Sequence, residues 1–238
     1  MDQGLARRAF AEFLGTALLL IAVIGSGIAA VRLSPGDIGL QLLENAFATA
    51  AGLAAIIIAV GSVSGAHLNP VVTLVDHALG GIDRRAAAVY LGAQMVGAAS
   101  GVVVANLMFE LPAVELSTKV RDGSGLFLAE VVATFGLLLV VFGVTRSGRA
   151  LLAPFAVGAY IGGAYFFTSS TSFANPAVTI ARMLSDTFAG IRPASVPAFV
   201  GAQLVGAGVA FVVINILYPR ARATAADVVV PHPQEQTA

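Results

Sequence analysis

The sequence predicts an all-α membrane protein: six transmembrane helices plus two re-entrant half-helices in an inverted repeat. Three observations carry that prediction. Charge is scarce and unevenly spread, an Asn-Pro pair occurs twice inside apolar sequence, and the two halves repeat one order of motifs.

Of the 238 residues, 58% are hydrophobic and only 11% are charged. A soluble domain of this size needs far more charge to cover its surface. No charged residue falls within Phe13–Val31, Asn45–Val75, Ala86–Phe109, Val131–Thr145, Ala150–Ala181 or Pro193–Pro219. A bilayer crossing takes roughly 20 apolar residues, so each stretch spans a membrane. The first apolar stretch is long, carries Glu12 at its start and is followed by further spans. It reads as a helix that stays in place rather than a removed leader. Cysteine is absent, which excludes disulfides, thiol chemistry and thiolate metal sites. The formal net charge is zero, and nothing in the charge pattern points to nucleic acid.

Asn45–Val75 and Ala150–Ala181 are both too long for one crossing, and each holds an Asn-Pro near its C-terminal end. A helix in the first part of each leaves a turn ("GSVSGAHL", "SSTSFA") and about ten helical residues after the proline. Ten residues rise ~15 Å, half of the ~30 Å hydrocarbon core. Asparagine is a good N-cap and proline suits the first helical turn. Asn69-Pro70 and Asn175-Pro176 therefore start two half-helices at bilayer depth. The alternative, a proline kink in an ordinary span, leaves the excess length unexplained.

The duplication extends further. "AEFLGT" (Ala11 to Thr16) matches "AEVVAT" (Ala129 to Thr134), and "YLGAQMVGA" (Tyr90 to Ala98) matches "FVGAQLVGA" (Phe199 to Ala207). Residues 1–109 form a first repeat, 110–123 an extracellular linker, 124–219 a second, and 220–238 a disordered cytoplasmic tail. Three full spans per repeat invert the second copy. Arg7, Arg8, Arg84, Arg85, Arg146, Arg149, Arg220 and Arg222 fall on one face. The positive-inside rule puts that face, and both termini, in the cytoplasm. Two helix N-termini at mid-membrane carry partial positive charge, which repels cations and offers donors to neutral solutes.

These motifs, together with "SGAHLNP", resemble the aquaporin and aquaglyceroporin family, the major intrinsic proteins, over about residues 5–218. The resemblance implies an aquaporin-like fold, a homotetramer in the lipid bilayer of the plasma (inner) membrane with one pore per subunit, and no cofactor, metal or catalytic residue. It assigns the pore boxes to Asn69, Pro70, Val71 and Asn175, Pro176, Ala177, with the asparagines bonding the permeant and interrupting proton hopping. It assigns Glu12 and Glu130 to holding the re-entrant loops, supported by Gln94 and Gln203. It places His67 near the cytoplasmic mouth, where a gating role is the minority reading.

Two departures stand out. The first box ends in Val71 rather than alanine, and Val178 follows the second box where most members carry an arginine. Ungapped family spacing puts the other filter positions at Thr49, Gly163 and Ser172, with Phe173 as the neighbour that lines the filter if the loop shifts by one. A small, uncharged filter implies a wide pore for water, glycerol-like polyols and neutral metalloid hydroxides such as arsenous acid, with methylated arsenicals also plausible. A bacterial arsenic-linked subgroup resembles this pattern, with an aliphatic residue at the arginine position. The alternatives are a water-selective pore, a coupled secondary transporter, and a structural membrane protein with little transport; an enzyme is not expected. Arg182 lies one helical turn beyond Val178. Two readings stand for it: snorkelling to water or pairing with Asp186, which is favoured, and a pore-adjacent position that replaces part of the missing cation. Asp76 and His77 are expected at the membrane interface.

Overall fold

The computed structural model describes residues 3–219; the expected disordered segment 220–238 lies outside the described residues. It contains α1 (Gln3–Leu33), α2 (Ile38–Ser64), α3 (Pro70–Leu79), α4 (Arg84–Met108), α5 (Ser124–Arg146), α6 (Ala153–Phe167), α7 (Pro176–Ala181) and α8 (Val196–Leu217). Short 3₁₀ turns precede α6 (Ala150–Leu152) and α8 (Pro193–Ser195), and one continues α7 (Arg182–Leu184). There is no strand among the described residues. Six helices, counting α6 with its leading turn, are long and apolar enough to cross a membrane.

Local chemistry sets the boundaries. Asp37 and Asp83 cap α2 and α4 by accepting from the Leu40 and Ala86 amides. Gly65 ends α2 and Gly80 ends α3, both at positive φ in the left-handed region that glycine enters without strain. The asparagines cap the half-helices, with Pro70 and Pro176 at the first helical position. The second half-helix is shorter than the ten residues expected. Only six are α-helical before the chain tightens into the 3₁₀ turn.

α1 packs against α2 and α4, α5 packs against α6 and α8, and α2 meets α6 across the two halves. Large apolar side chains such as Leu18, Ile58, Val104, Val132, Phe155 and Val212 stay exposed on the outer surface, one from each span. Hydrocarbon, not water, suits that surface.

Small residues let the helices approach closely. A Cβ on Gly97 would fall 2.3 Å from the Phe13 carbonyl oxygen, and one on Gly101 2.2 Å from that of Ala17. On α8, a Cβ on Gly206 would fall 2.6 Å from the Val131 carbonyl oxygen of α5. These are backbone-to-backbone crossings that only glycine permits. Gly101→Ala is expected to separate α1 from α4 and cost about 1–3 kcal/mol, as overpacking does. Gly208→Ala, where nothing lies within 4 Å of the added methyl, serves as control. Thermal melts in detergent check both, and equal melting temperatures would refute the close-crossing account.

Candidate functional site

The two half-helices meet head to head inside the protein. Asn69 Nδ2 donates to the Ala174 carbonyl at 2.8 Å, and Asn175 Nδ2 donates to the Leu68 carbonyl at 2.8 Å. Each asparagine thus ties its own half-helix to the loop that leads into the other. Asn69 Oδ1 accepts from the Val71 amide, and Asn175 Oδ1 from the amides of Ala177 and Val178. An amide group has two N–H donors. With one donated across the junction and the oxygen engaged as a cap, each side chain retains a single donor for a solute.

The loops preceding these caps are held by buried carboxylates. Glu12 accepts from the His67 amide (2.9 Å), the Leu68 amide (2.7 Å) and Ser64 Oγ (2.7 Å). Glu130 accepts from the Phe173 and Ala174 amides, both at 2.9 Å. Gln94 Nε2 bridges Glu12 and Thr73 Oγ1, and Gln203 Nε2 bridges Glu130 and Thr179 Oγ1. Each threonine hydroxyl then donates to the carbonyl of its own asparagine. The carboxylates anchor strain: Ala66 and Leu68 in the first loop, and Ser172 and Ala174 in the second, sit at φ between 48° and 49°. Non-glycine residues there cost roughly 1–2 kcal/mol each.

A cavity of about 60 Å³ lies beside this junction, enough to hold water. Its lining combines apolar side chains, among them Leu19, Val23, Leu53, Ile57, Leu137, Val141, Val157 and Ile161, with the polar Asn69, Asn175, Thr49, Tyr165, Ser172 and His67.

A family model described as "Major intrinsic protein" matches residues 2–174. The chain belongs to the major intrinsic protein family. It is 47% identical to aquaglyceroporin AqpS of Rhizobium meliloti (strain 1021) over 92% of this chain and 93% of that one. It is 30% identical to a probable aquaporin, AqpM, of Archaeoglobus fulgidus over 91% of this chain and 99% of that one. Its fold matches the X-ray structure of the aquaglyceroporin from Plasmodium falciparum with a TM-score of 0.70 at 23% identity, covering 92% of this chain and 99% of that one. The protein is therefore a multi-pass membrane channel for small solutes, and not an enzyme.

Within this member of the family, Val71, Pro70, Pro176 and Ala177 are buried in the half-helix junction. Thr49, Ser172, Phe173 and Val178 all line the cavity. Gly163 does not. It is exposed on the outer side of α6, while Ile161 and Tyr165 face the cavity. Residues 161 and 165 share one helix face, and 163 lies about 200° around from 161, on the opposite side. Tyr165 Oη donates to Thr49 Oγ1 at 3.2 Å, closing the cavity between α6 and α2.

Arg182 follows the less favoured of its two readings. It neither snorkels nor pairs with Asp186; it is 2% exposed, lines the cavity, and stacks its guanidinium 3.4 Å from the Phe173 ring centroid. Asp186 is engaged elsewhere, accepting from the Thr118 amide. Three cations bind three successive carbonyls of the 188–190 segment: Lys119 Nζ to Phe188, Arg182 Nε to Ala189, and Arg121 Nε to Gly190. The linker itself runs extended beside this segment, through Glu115 to Leu184, Ser117 to Met183 and Arg192 to Lys119 backbone bonds. Burial lowers the Arg121 guanidinium to about 10, still charged at neutral pH, and burial with the neighbouring Arg121 and Arg182 lowers Lys119 to about 8.

At the other end of the cavity, His67 Nδ1 lies 3.0 Å from Thr73 Oγ1 and Nε2 lies 3.6 Å from Asp76. Asp76 is 1% exposed, so it faces inward and not the interface. One turn of α3 carries both Asp76 and Thr73 to the same face, which places the carboxylate beside the histidine. His77 is exposed.

The pairs Glu12–Gln94–Thr73 and Glu130–Gln203–Thr179 predict a specific cost. Glu130→Gln leaves two loop amides competing for one acceptor, about 1–3 kcal/mol for each amide left unpaired. Water flux should fall with the melting temperature in Glu130→Gln proteoliposomes, and a variant with unchanged melting and flux would exclude the anchoring role.

Proposed function

We propose that the protein is a passive channel with broad specificity for small uncharged solutes: water, glycerol-like polyols and neutral metalloid hydroxides such as arsenous acid. The observation that carries this reading is Val178, an uncharged, short side chain in the cavity wall directly after the second box. The lining supports it too, since a polyol can turn its hydroxyls to the two asparagine donors and its carbons to the aliphatic wall. The name of the Rhizobium relative, an aquaglyceroporin, agrees with passage of solutes larger than water.

Selection against protons follows from the same groups. A water held by two donors, one from Asn69 and one from Asn175, has both lone pairs engaged and cannot accept a proton from its neighbour. The half-helix N-termini add positive potential at the same point. Coupled transport has little support, because the titratable pair beside the cavity, His67 and Asp76, stands at one end and not at the junction.

A second reading, a water-selective pore, has its own support: Phe173 and Arg182 together narrow the linker end with an aromatic ring and a cation. Stopped-flow light scattering on proteoliposomes separates the two. The broad reading expects wild type to pass water, glycerol and arsenous acid. It expects Val178→Arg to slow the two larger solutes about tenfold, equivalent to ~1.4 kcal/mol of added barrier. Wild-type liposomes that pass water alone would leave the water-selective reading standing.

The proposal extends to placement: a tetramer in the plasma membrane, residues 1–109 and 124–219 as inverted repeats, both termini inside and the 110–123 linker outside. Lys119 is the single lysine of the chain and lies on that linker. A membrane-impermeant amine reagent applied to intact cells should modify it, with the rate rising through about pH 8, where the amine loses its proton. Labelling that requires broken cells would reverse the orientation.

A further inference from the structure

We propose that the linker-face end of the cavity is a binding site for small monovalent oxyanions, formed by the Arg182 guanidinium and the Ser172 hydroxyl. The inference rests on the pore reading only in taking this cavity as open to solution.

Charge balance comes first. Arg182 and Arg121 stack on the Phe173 ring, their guanidinium carbons 3.4 and 4.9 Å from its centroid. Both side chains are at least nine-tenths buried. Among the described residues, neither arginine has a carboxylate within ion-pair distance; the ion pairs found are His67–Asp76 and Arg192–Asp122. Glu130 is the nearest candidate counter-charge, but its oxygens already accept from Phe173, Ala174 and Gln203. Two buried cations without a counter-charge are costly even when carbonyls accept from them. A diffusible anion removes that cost.

Geometry then selects the anion. Arg182 uses Nε on the Ala189 carbonyl, and among the described residues its two terminal nitrogens meet no protein acceptor. A guanidinium edge binds two oxygens on one atom better than it binds a single sphere. Ser172, 3% exposed and part of the same lining, has a hydroxyl with no hydrogen-bond partner. It supplies a further donor. Arg121 lies behind Phe173, outside the cavity lining, and adds potential without contact. The site therefore favours a planar or tetrahedral oxyanion of single charge over a halide, and it opposes cations.

Nitrate serves as probe, because it is planar, monovalent and unprotonated at any working pH. Isothermal titration of the solubilised full-length protein should show nitrate binding at least about tenfold tighter than chloride, a difference of ~1.4 kcal/mol. Arg182→Leu should abolish the heat, and Arg182→Lys should keep anion binding while losing the preference for nitrate. Where Arg182→Leu fails to fold, Ser172→Ala answers instead, with nitrate affinity lowered severalfold. Equal nitrate and chloride affinity, no nitrate heat in wild type, or full nitrate binding after these substitutions would each overturn the site. Glycerol flux measured in parallel on the same preparations reports the pore reading separately: nitrate binding without any flux would sink the pore and leave the anion site standing.

Discussion

Two carboxylates buried at bilayer depth hold this structure together. A chain that stops a helix halfway through hydrocarbon exposes backbone groups that lipid cannot satisfy. Glu12 and Glu130 accept from four loop amides between them, with Ser64 and two glutamines completing their bonds. Hydrogen bonds to a charged acceptor contribute about 1.5–3 kcal/mol each. That is enough to offset left-handed residues at roughly 1–2 kcal/mol apiece. Only with those loops fixed can Asn69 and Asn175 face each other, and only then does a cavity acquire donors at its centre.

The duplication makes the junction reciprocal. Each asparagine caps one half-helix and bonds the other loop, so neither half-helix has a settled position without its partner. The arrangement also fixes polarity. Oxygen atoms are consumed by caps and nitrogen atoms are left facing the cavity, and both helix dipoles point their positive ends at the same place. Positive potential at the junction is thus built into the backbone before any side chain of the lining contributes.

How much of this was legible in the sequence depended on whether a feature was periodic or relational. Span positions, the two helix starts and the paired glutamates are visible because charge gaps and repeated motifs mark them directly. Thr73 and Thr179 were equally visible, four residues after each asparagine in "NPVVT" and "NPAVT", and the repeat itself was the signal. Gly163 was misplaced because counting along a chain does not set the rotation of a helix. An error of two residues turns a side chain to the opposite face, and only the packing of α6 on α2, through Tyr165 and Thr49, fixes that phase. The position of Arg182 stayed between two readings for a related reason. Its burial depends on the Ala189 carbonyl of a loop and on the Phe173 ring, and no local pattern announces that pairing.

The relation between Val178 and Arg182 has a consequence for how width and charge are set. When an arginine follows the second box directly, one side chain both narrows the passage and carries its cation. Here valine occupies that level and the guanidinium sits one turn farther, about 6 Å along the half-helix axis. It is stacked on Phe173 and tied to Ala189. The short α7, which tightens into a 3₁₀ turn at Arg182, is what brings that side chain inward at the end of the half-helix. Thr49, Ser172, Val178 and Arg182 all line the cavity, but the bulk next to the second box belongs to an uncharged residue and the cation to another. A substitution at Val178 therefore changes side-chain bulk in the lining without removing the local charge.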